Sequence, residues 1–170
     1  MRKSFVFAIL LVVAALLASC GSSKEASTKN PEPTKTEVTT HKPKTDLLRD
    51  TNTNGVWSFT LADIDSKTLT KVETKQLDAL AKEIKAMGDC QVSVIGHTDN
   101  IGSSEVNEAV SVARACLVGD YLKKKGVTNI TTSGESYNHP VAGNDTASGR
   151  AKNRRVEIFV STIGKYNPYK

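Results

Sequence analysis

The chain has 170 residues, of which 38% are hydrophobic, 5% aromatic and 24% charged, and its formal net charge is +5. This length predicts one globular domain with additional segments, and the charged fraction excludes a polytopic membrane protein. The 11 Gly and 5 Pro exclude a fibrous or Pro-rich chain.

The first twenty residues have the pattern of an export signal. Arg2 and Lys3 are followed by an uncharged apolar stretch over 4–19, which is too short to span a bilayer comfortably. The stretch ends in Leu-Ala-Ser immediately before Cys20, and this sequence resembles a lipobox. We therefore expect a lipoprotein signal peptide over 1–19 and an acylated Cys20. An ordinary signal peptide and an uncleaved N-terminal anchor are the alternatives.

Removal of the signal peptide changes the charge and leaves two cysteines. Cleavage removes two basic residues and no acidic one, leaving 21 Lys and Arg against 18 Asp and Glu, a net charge of +3. So small an excess argues against nucleic-acid binding, which requires a concentrated basic face. In an oxidising compartment Cys90 and Cys116 could form a disulfide, and the alternative is two small buried apolar residues.

The segment from the acylated cysteine to residue 54 has the composition of a flexible linker. Residues 21–54 are rich in Ser, Thr, Lys, Glu and Asn, contain three Pro, and have one short apolar site at Leu47 and Leu48. A flexible chain of this length reaches roughly 30 Å on average. We expect a linker over 20–54, a folded domain over 55–163 and a C-terminal tail over 164–170.

Two elements are predicted in the first part of that domain. Residues 56–61 alternate in polarity, which predicts a strand with Trp57, Phe59 and Leu61 on one face. A capping box at Thr70 and Glu73 then begins a helix. Its apolar residues recur at helical spacing until Gly88 ends it: Leu77, Leu80, Ala81, Ile84 and Met87.

The remaining elements give the order β-α-β-α-β-β. A Val- and Ile-rich strand is predicted over 91–96, followed by a long helix ending in three lysines before Gly126. A weak strand over 129–133, a helical turn near Thr146 and a strand over 155–160 complete the domain. We expect an α/β sandwich with a mixed four-stranded sheet and both helices on one face.

Three groups of residues in this domain resemble the OmpA-like C-terminal domain family, the peptidoglycan-binding module of Pal-type lipoproteins and flagellar stator proteins. The resemblance covers about 56–161. It rests on Gly96-His97-Thr98-Asp99, on Asn107 with Val110-Ser111 and Arg114-Ala115, and on Asn153-Arg154-Arg155-Val156-Glu157. Val110 stands where the family usually has Leu, and Ser136 and Tyr137 replace a Gly and a Glu of a loop motif.

The resemblance implies binding of the diaminopimelate side chain in the stem peptide of peptidoglycan. Asp99 would accept hydrogen bonds from the distal ammonium, and Arg114 would bind the neighbouring carboxylate. Thr98 and Asn107 would either contact the ligand or shape the loop, and Asn107 would tie the loop through its amide. The chemistry agrees, because a zwitterion needs one anion and one planar cation, and Arg can bind a carboxylate bidentately.

The spacing of the two charged residues predicts a helix break. Asp99 follows the carboxyl end of a strand, where open α/β sheets bind ligands. In one unbroken helix from Ser104, Arg114 would lie about 15 Å along the axis. We therefore expect a break within 108–111, with Ser111 as a new N-cap and Arg114 in the following first turn.

Enzymatic and metal sites are not expected. His97 and Asp99 have no third ligand nearby in sequence, His41 and His139 lie in no motif, and no Gly-x-Ser-x-Gly is present. We expect no cofactor, and we expect His97 to be a packed residue.

Arg154 and Arg155 belong to the most basic stretch of the domain. In an alternating strand they point to opposite faces, so at most one borders the pocket. The alternative is an ion-paired entry to the last strand.

The predicted protein is a non-catalytic, lipid-anchored envelope protein that ties the outer membrane to the cell wall. Gly21 after the acylated cysteine favours the outer membrane, with the domain in the periplasm. Its partners would be peptidoglycan, the membrane through the lipid, and other envelope proteins. The alternative is a protein-interaction or assembly module that does not bind the wall directly.

Overall fold

A computed structural model describes residues 47–51 and 55–170. The predicted signal peptide, the acylation site at Cys20 and most of the predicted linker lie outside these residues. Within them the chain forms five strands and three helices, in the order β1-β2-α1-β3-α2-β4-α3-β5.

The strands form one mixed sheet in the order β1-β2-β5-β3-β4. Their bounds are Arg49–Asp50, Val56–Ala62, Gln91–Gly96, Ile130–Gly134 and Arg155–Ser161 for β1 to β5. Strands β3 and β4 are parallel, and the other neighbours are antiparallel. Because β5 lies antiparallel between β2 and β3, these two strands run in the same direction and both end at one edge of the sheet.

Alternation along the strands separates the two faces of the sheet. On β5, Val156, Ile158 and Val160 enter the main core, whereas Phe159 belongs to a second cluster on the outer face. The main core also contains residues from both long helices. The α/β sandwich with both helices on one face is therefore confirmed.

Helix α1, Lys71–Met87, begins and ends where its sequence predicts. The Thr70 hydroxyl accepts from the Glu73 amide at 3.2 Å, and the Glu73 carboxylate accepts from the Thr70 amide at 2.6 Å. Gly88 ends the helix with a φ of +85°, a conformation that side chains disfavour.

Helix α2, Ser104–Lys124, is continuous, so the predicted break within 108–111 is wrong. Ser103 is the N-cap, and its hydroxyl accepts from the Val106 amide at 3.3 Å. Ser111 does not cap a second segment, because its hydroxyl donates to the Glu108 carbonyl inside the helix at 2.8 Å. Arg114 consequently lies in the middle of the helix, away from any helix N-terminus.

Close packing of α2 on two glycines removes the need for a break. A Cβ at Gly96 would overlap the carbonyl oxygen of Ser111, and a Cβ at Gly134 would overlap the Ser111 side chain. The middle of α2 therefore lies directly over the ends of β3 and β4, and its first turns extend past the sheet. The predicted break is wrong because it requires the helix to start at the strand end.

The sheet and the folded region are larger than predicted. The sheet has five strands because β1 pairs with β2, and Leu48 is buried in the main core. These residues fall in the predicted linker, where their short apolar sequence gave only a weak signal. At the other end, Tyr166 and Tyr169 pack against the outer face of the sheet, so the predicted tail is part of the fold.

Cys90 and Cys116 are not bonded to each other, so of the two alternatives the disulfide is not the one formed. Cys90 precedes β3 and is buried, with its sulfur 3.9 Å from the Ile84 carbonyl. Cys116 lies on α2 over Thr132, which pairs with Val94. Along β3, four residues, about 13 Å, separate Cys90 from Val94, the position next to Cys116. A disulfide requires Cα atoms within about 7 Å.

Candidate functional site

The candidate site lies at the edge where β2 and β3 end and β5 begins. After β3 the His97 amide donates to the Arg155 carbonyl at 2.9 Å, and the Thr98 amide donates to the Ser136 carbonyl at 2.9 Å. These bonds fix the main chain immediately before Asp99. His97 is 1% exposed, which confirms that it is a packed residue.

Asp99 is held by one backbone and one side-chain donor. Its Oδ1 accepts from the Ile101 amide at 3.1 Å, and its Oδ2 accepts from Arg154 Nη1 at 2.9 Å. A carboxylate oxygen has two lone pairs, so each oxygen can accept one further hydrogen bond. The side chain is 12% exposed and remains accessible from solvent.

Arg114 is anchored by main-chain carbonyls. Its Nε donates to Ile64 at 2.8 Å and its Nη1 donates to His97 at 3.0 Å, while Nη2 makes no hydrogen bond with any described residue. Burial lowers the pKa of this guanidinium and the nearby Arg154 lowers it further, whereas Asp99 raises it. Arg nevertheless stays protonated in proteins, so a fixed cation with an unused donor lies beside the Asp99 loop.

Arg154 bridges two carboxylates at this edge. Its Nη1 binds Asp99, and its Nε binds Asp63 Oδ1 at 3.0 Å. These hydrogen bonds, first with Asp99 and then with Asp63, raise the pKa of Arg154. Asp63 follows β2 in a left-handed conformation with φ of +52°, and its amide donates to the Ala151 carbonyl at 3.2 Å.

Asp63 was missed by the sequence reasoning, although a signal was present. It directly follows β2, Asp99 comes shortly after β3, and the two strands end at the same edge. Recognising this requires the strand order, which local patterns do not contain. Asp65 is a further carboxylate near this site. Hydrogen bonds from the Lys67 and Thr68 amides lower its pKa, and the charge of Arg114 lowers it further.

Arg155 faces the other side of the sheet, as predicted from alternation. Its Nε donates to Glu157 Oε1 at 2.8 Å and its Nη2 donates to the His139 carbonyl at 2.9 Å. Of the two adjacent arginines, only Arg154 borders the site.

Thr98 and Asn107 are both buried, each 3% exposed. The Asn107 amide group donates to the Ile101 carbonyl at 3.2 Å, so the predicted tie across the loop is confirmed. No hydrogen bond to the Thr98 hydroxyl is formed by the described residues. Contact of either residue with a ligand stays a prediction.

The loop before Arg154 depends on a residue that the motif did not single out as functional. Asn153 is fully buried, and its Oδ1 accepts from the Val141 and Ala142 amides at 2.9 and 3.1 Å. Its Nδ2 donates to the Ala142 carbonyl and to Asn144. Asn153 therefore fixes the chain on both sides of α3, Ala147–Asn153, and with it the position of Arg154.

The arrangement suits a ligand that carries both charges. Asp99 offers lone pairs and Arg114 offers an N–H group, and a neighbouring ammonium and carboxylate on one carbon could engage both. Among residues 47–51 and 55–170, no three side chains of the kinds that bind metals form a cluster. Nor does any helix in this part of the chain have the length and apolar character needed to cross a membrane.

Comparison with known proteins identifies relatives of the region that holds this site. The OmpA family model matches residues 63–154, more than half of the chain. The peptidoglycan-binding protein ArfA of Mycobacterium tuberculosis is 42% identical over 99 residues, covering 57% of this chain and 30% of ArfA. YfiB of Escherichia coli, described by name as a lipoprotein, is 36% identical over 121 residues, covering 66% of this chain and 75% of YfiB.

A solved structure is similar at the level of both fold and sequence. It is the cell wall anchor of the type VI secretion system from Pseudomonas aeruginosa, with a TM-score of 0.58 and 31% identity. The match covers 68% of this chain and 87% of that one. The chain thus spans less than a third of ArfA but most of this anchor.

Proposed function

The chain belongs to the OmpA family, and on that basis we propose that it is a non-catalytic protein that binds the diaminopimelate stem peptide of peptidoglycan. One relative is named for peptidoglycan binding and a similar structure for cell wall anchoring. The observation that carries the proposal is the convergence of Asp99 and Arg114 at one edge of the sheet, each with unused hydrogen-bonding capacity.

Each side chain has a defined role in this proposal. Asp99 accepts from the distal ammonium of diaminopimelate through its remaining lone pairs. Arg114 binds the adjacent carboxylate through Nη2, while its two carbonyl partners hold the guanidinium in place. Since the guanidinium is already ordered, little conformational entropy is lost on binding.

Arg154 acts in the unliganded site as a counter-ion for Asp99. It is the more exposed partner of the pair, with 31% of its side chain exposed against 12% for Asp99. Asp63 holds the other side of its guanidinium, so Arg154 can weaken its contact with Asp99 without becoming unpaired. The ligand's ammonium then replaces one cation by another, which limits the cost of desolvation.

The proposed cellular role is to tether the outer membrane to the wall from the periplasmic side. A lipid on Cys20 would hold the membrane, and a linker would let the domain reach the murein. A few charge-assisted hydrogen bonds give a dissociation constant in roughly the micromolar to millimolar range. Many such contacts at high local concentration hold two surfaces together without any turnover.

The proposal is tested by titrating the purified protein with diaminopimelate and with Nα-acetyl-lysine amide, which keeps the distal ammonium but has no free carboxylate. We expect diaminopimelate to bind at least about tenfold more tightly, because only it can engage Arg114. Equal affinities would contradict the role of Arg114. Binding to purified, protein-free sacculi is measured in parallel.

Conservative variants separate loss of binding from loss of folding. Asp99→Asn keeps the shape of the side chain but removes its charge, and Arg114→Lys keeps the charge but removes the planar fork. Both should reduce binding to sacculi about tenfold or more while circular dichroism stays unchanged. If both variants bind sacculi as the parent does, the chain is instead an assembly module that does not hold the wall.

A further inference from the structure

A cavity separate from the candidate site lies on the face of the sheet opposite the two long helices. It has a volume of about 600 Å³, is open to solvent on one side, and is lined by residues of β3, β4 and the C-terminal segment. This volume lies in the range of small-molecule sites. Its lining includes Ser93, Thr131, Ser133, Lys165, Tyr166 and Lys170.

A row of hydroxyl groups forms the floor of this cavity. Ser93 and Thr131 are register partners on β3 and β4, and their hydroxyl oxygens are 3.4 Å apart. The Thr131 hydroxyl also lies 3.4 Å from the Val92 carbonyl, and the Ser133 hydroxyl makes no hydrogen bond with the described residues. These contacts are long or absent, so the three hydroxyls retain capacity to donate and accept.

Two lysines give the cavity a positive charge. Lys165 and Lys170 both line it, and neither forms an ion pair with a carboxylate of residues 47–51 or 55–170. None of the described lining residues is Asp or Glu. No side-chain carboxylate of the described residues compensates the two ammonium groups, so the cavity attracts an anion.

The C-terminal segment that covers the cavity is fixed by aromatic contacts. The rings of Tyr166 and Phe159 are 5.5 Å apart, and Tyr169 stacks on His139 at 4.0 Å. The Tyr169 hydroxyl also donates to Glu157 at 2.6 Å. Because these contacts hold the segment against the sheet, the cavity exists before any ligand binds, which favours affinity.

We propose that this cavity binds an acidic saccharide, one sugar or two in length, that carries a carboxylate or a phosphate. The acid group lies between Lys165 and Lys170, and the sugar hydroxyls bond to Ser93, Thr131 and Ser133. Tyr166 supplies an aromatic group beside the sugar. The site is on the opposite face from Asp99, so the proposal stands independently of diaminopimelate binding.

The test is a titration of the purified ¹⁵N-labelled protein, followed by amide chemical shifts. The probes are N-acetylmuramic acid, N-acetylglucosamine, glucose 6-phosphate and inorganic phosphate. We expect saturable shifts at Ser93, Thr131, Ser133 and Tyr166 with N-acetylmuramic acid or glucose 6-phosphate, and the stronger of the two identifies carboxylate or phosphate as the acid group. N-acetylglucosamine, which has no acid group, should bind at least about fivefold more weakly.

A lysine double variant tests the charge. Lys165→Gln with Lys170→Gln should weaken binding of the acidic sugar about tenfold, whereas Lys123→Gln with Lys124→Gln at the end of α2 should leave it unchanged. The proposal is overturned if neither acidic sugar gives saturable shifts, or if N-acetylglucosamine or inorganic phosphate binds as well as they do. It is also overturned if the two double variants behave alike. Diaminopimelate shifts near Asp99 report separately on the proposed function.

Discussion

Two carboxylate–guanidinium pairs, built on adjacent arginines, occupy opposite faces of the same sheet edge. Arg154 pairs with Asp99 at 2.9 Å, and Arg155 pairs with Glu157 at 2.8 Å. The two carboxylates are almost equally exposed, at 12% and 13%, but the arginines are 31% and 2% exposed. The chemistry of the pairs is alike, and their surroundings differ.

The difference lies in how deeply the arginine of each pair is buried and in how many groups surround its carboxylate. Glu157 accepts from Arg155 and from Tyr169, and His97 Nε2 lies 3.5 Å from its Oε2. Asp99 has one donor on each oxygen, and its partner Arg154 is the more exposed of the two arginines. The buried pair, Arg155–Glu157, stabilises the fold, whereas the exposed pair, Arg154–Asp99, lies beside an anchored cation and can bind a ligand.

The largest effect is expected from breaking the buried pair. Glu157→Ala leaves the buried Arg155 without its carboxylate, and this should reduce the free energy of unfolding by about 3–5 kcal/mol. Urea unfolding at neutral pH measures the loss. Glu157→Gln, which retains an acceptor, is the matched control and should lose less. A loss below about 1 kcal/mol for the alanine variant would show that the pair does not stabilise the fold.

The same pair predicts a pH dependence of stability. Burial alone would raise the pKa of Glu157, but His97, Tyr169 and Arg155 lower it from 4.5 to about 2. Because the folded pKa is the lower one, this stabilisation is complete above about pH 4.5 and is lost as the pH falls towards 2. The shift corresponds to about 3 kcal/mol.

Urea unfolding of the parent and of Glu157→Gln between pH 5 and pH 2 isolates this contribution. The parent should lose more stability over this interval, because the variant has no carboxyl group at 157 to titrate. Parallel curves for the two proteins are the result that contradicts the assignment.

A smaller effect is expected from moving α2 relative to the exposed pair. Gly96→Ala places a Cβ on the Ser111 carbonyl, so the helix must shift, at a cost of about 1–3 kcal/mol. The shift also moves Arg114 from the His97 carbonyl, so diaminopimelate affinity should fall more than the stability loss explains. Gly143→Ala, whose added Cβ has its nearest neighbour at 3.4 Å, is the control and should change neither quantity.

The sequence predicted the elements better than their placement. The capping box of α1, the core strands and the loop tie from Asn107 follow from local patterns, and all are present. The helix break was wrong because it assumed where α2 crosses the sheet. That crossing is set by the glycines at 96 and 134, which are tertiary contacts that no local pattern contains.

Part of the candidate site also could not be predicted from local sequence patterns. Asp63 and Asp99 are 36 residues apart, and their common partner Arg154 follows 55 residues after Asp99. Only the strand order β2-β5-β3 brings the three together. A sequence motif identifies Asp99 and Arg114 as candidates, but the competing counter-ion Arg154 is recognised only once the strand order is known.

The smallest effect concerns the loop that joins the two regions. The Ser136 carbonyl accepts from Thr98 on the ligand side, and His139 of the same loop stacks on Tyr169 on the side of the buried pair. Ser136 has a φ of +50°, and its buried hydroxyl makes no hydrogen bond with the described residues. Ser136→Gly should therefore stabilise the fold by about 1 kcal/mol, because it removes both penalties.

Ser136→Ala separates the two causes, since it removes the hydroxyl but keeps the Cβ in the left-handed conformation. If backbone strain dominates, thermal unfolding should show a gain for glycine and little change for alanine. If the buried hydroxyl dominates, both variants should gain alike. A loss of stability in the glycine variant would mean that a bound water satisfies the hydroxyl and that the loop tolerates its conformation without strain.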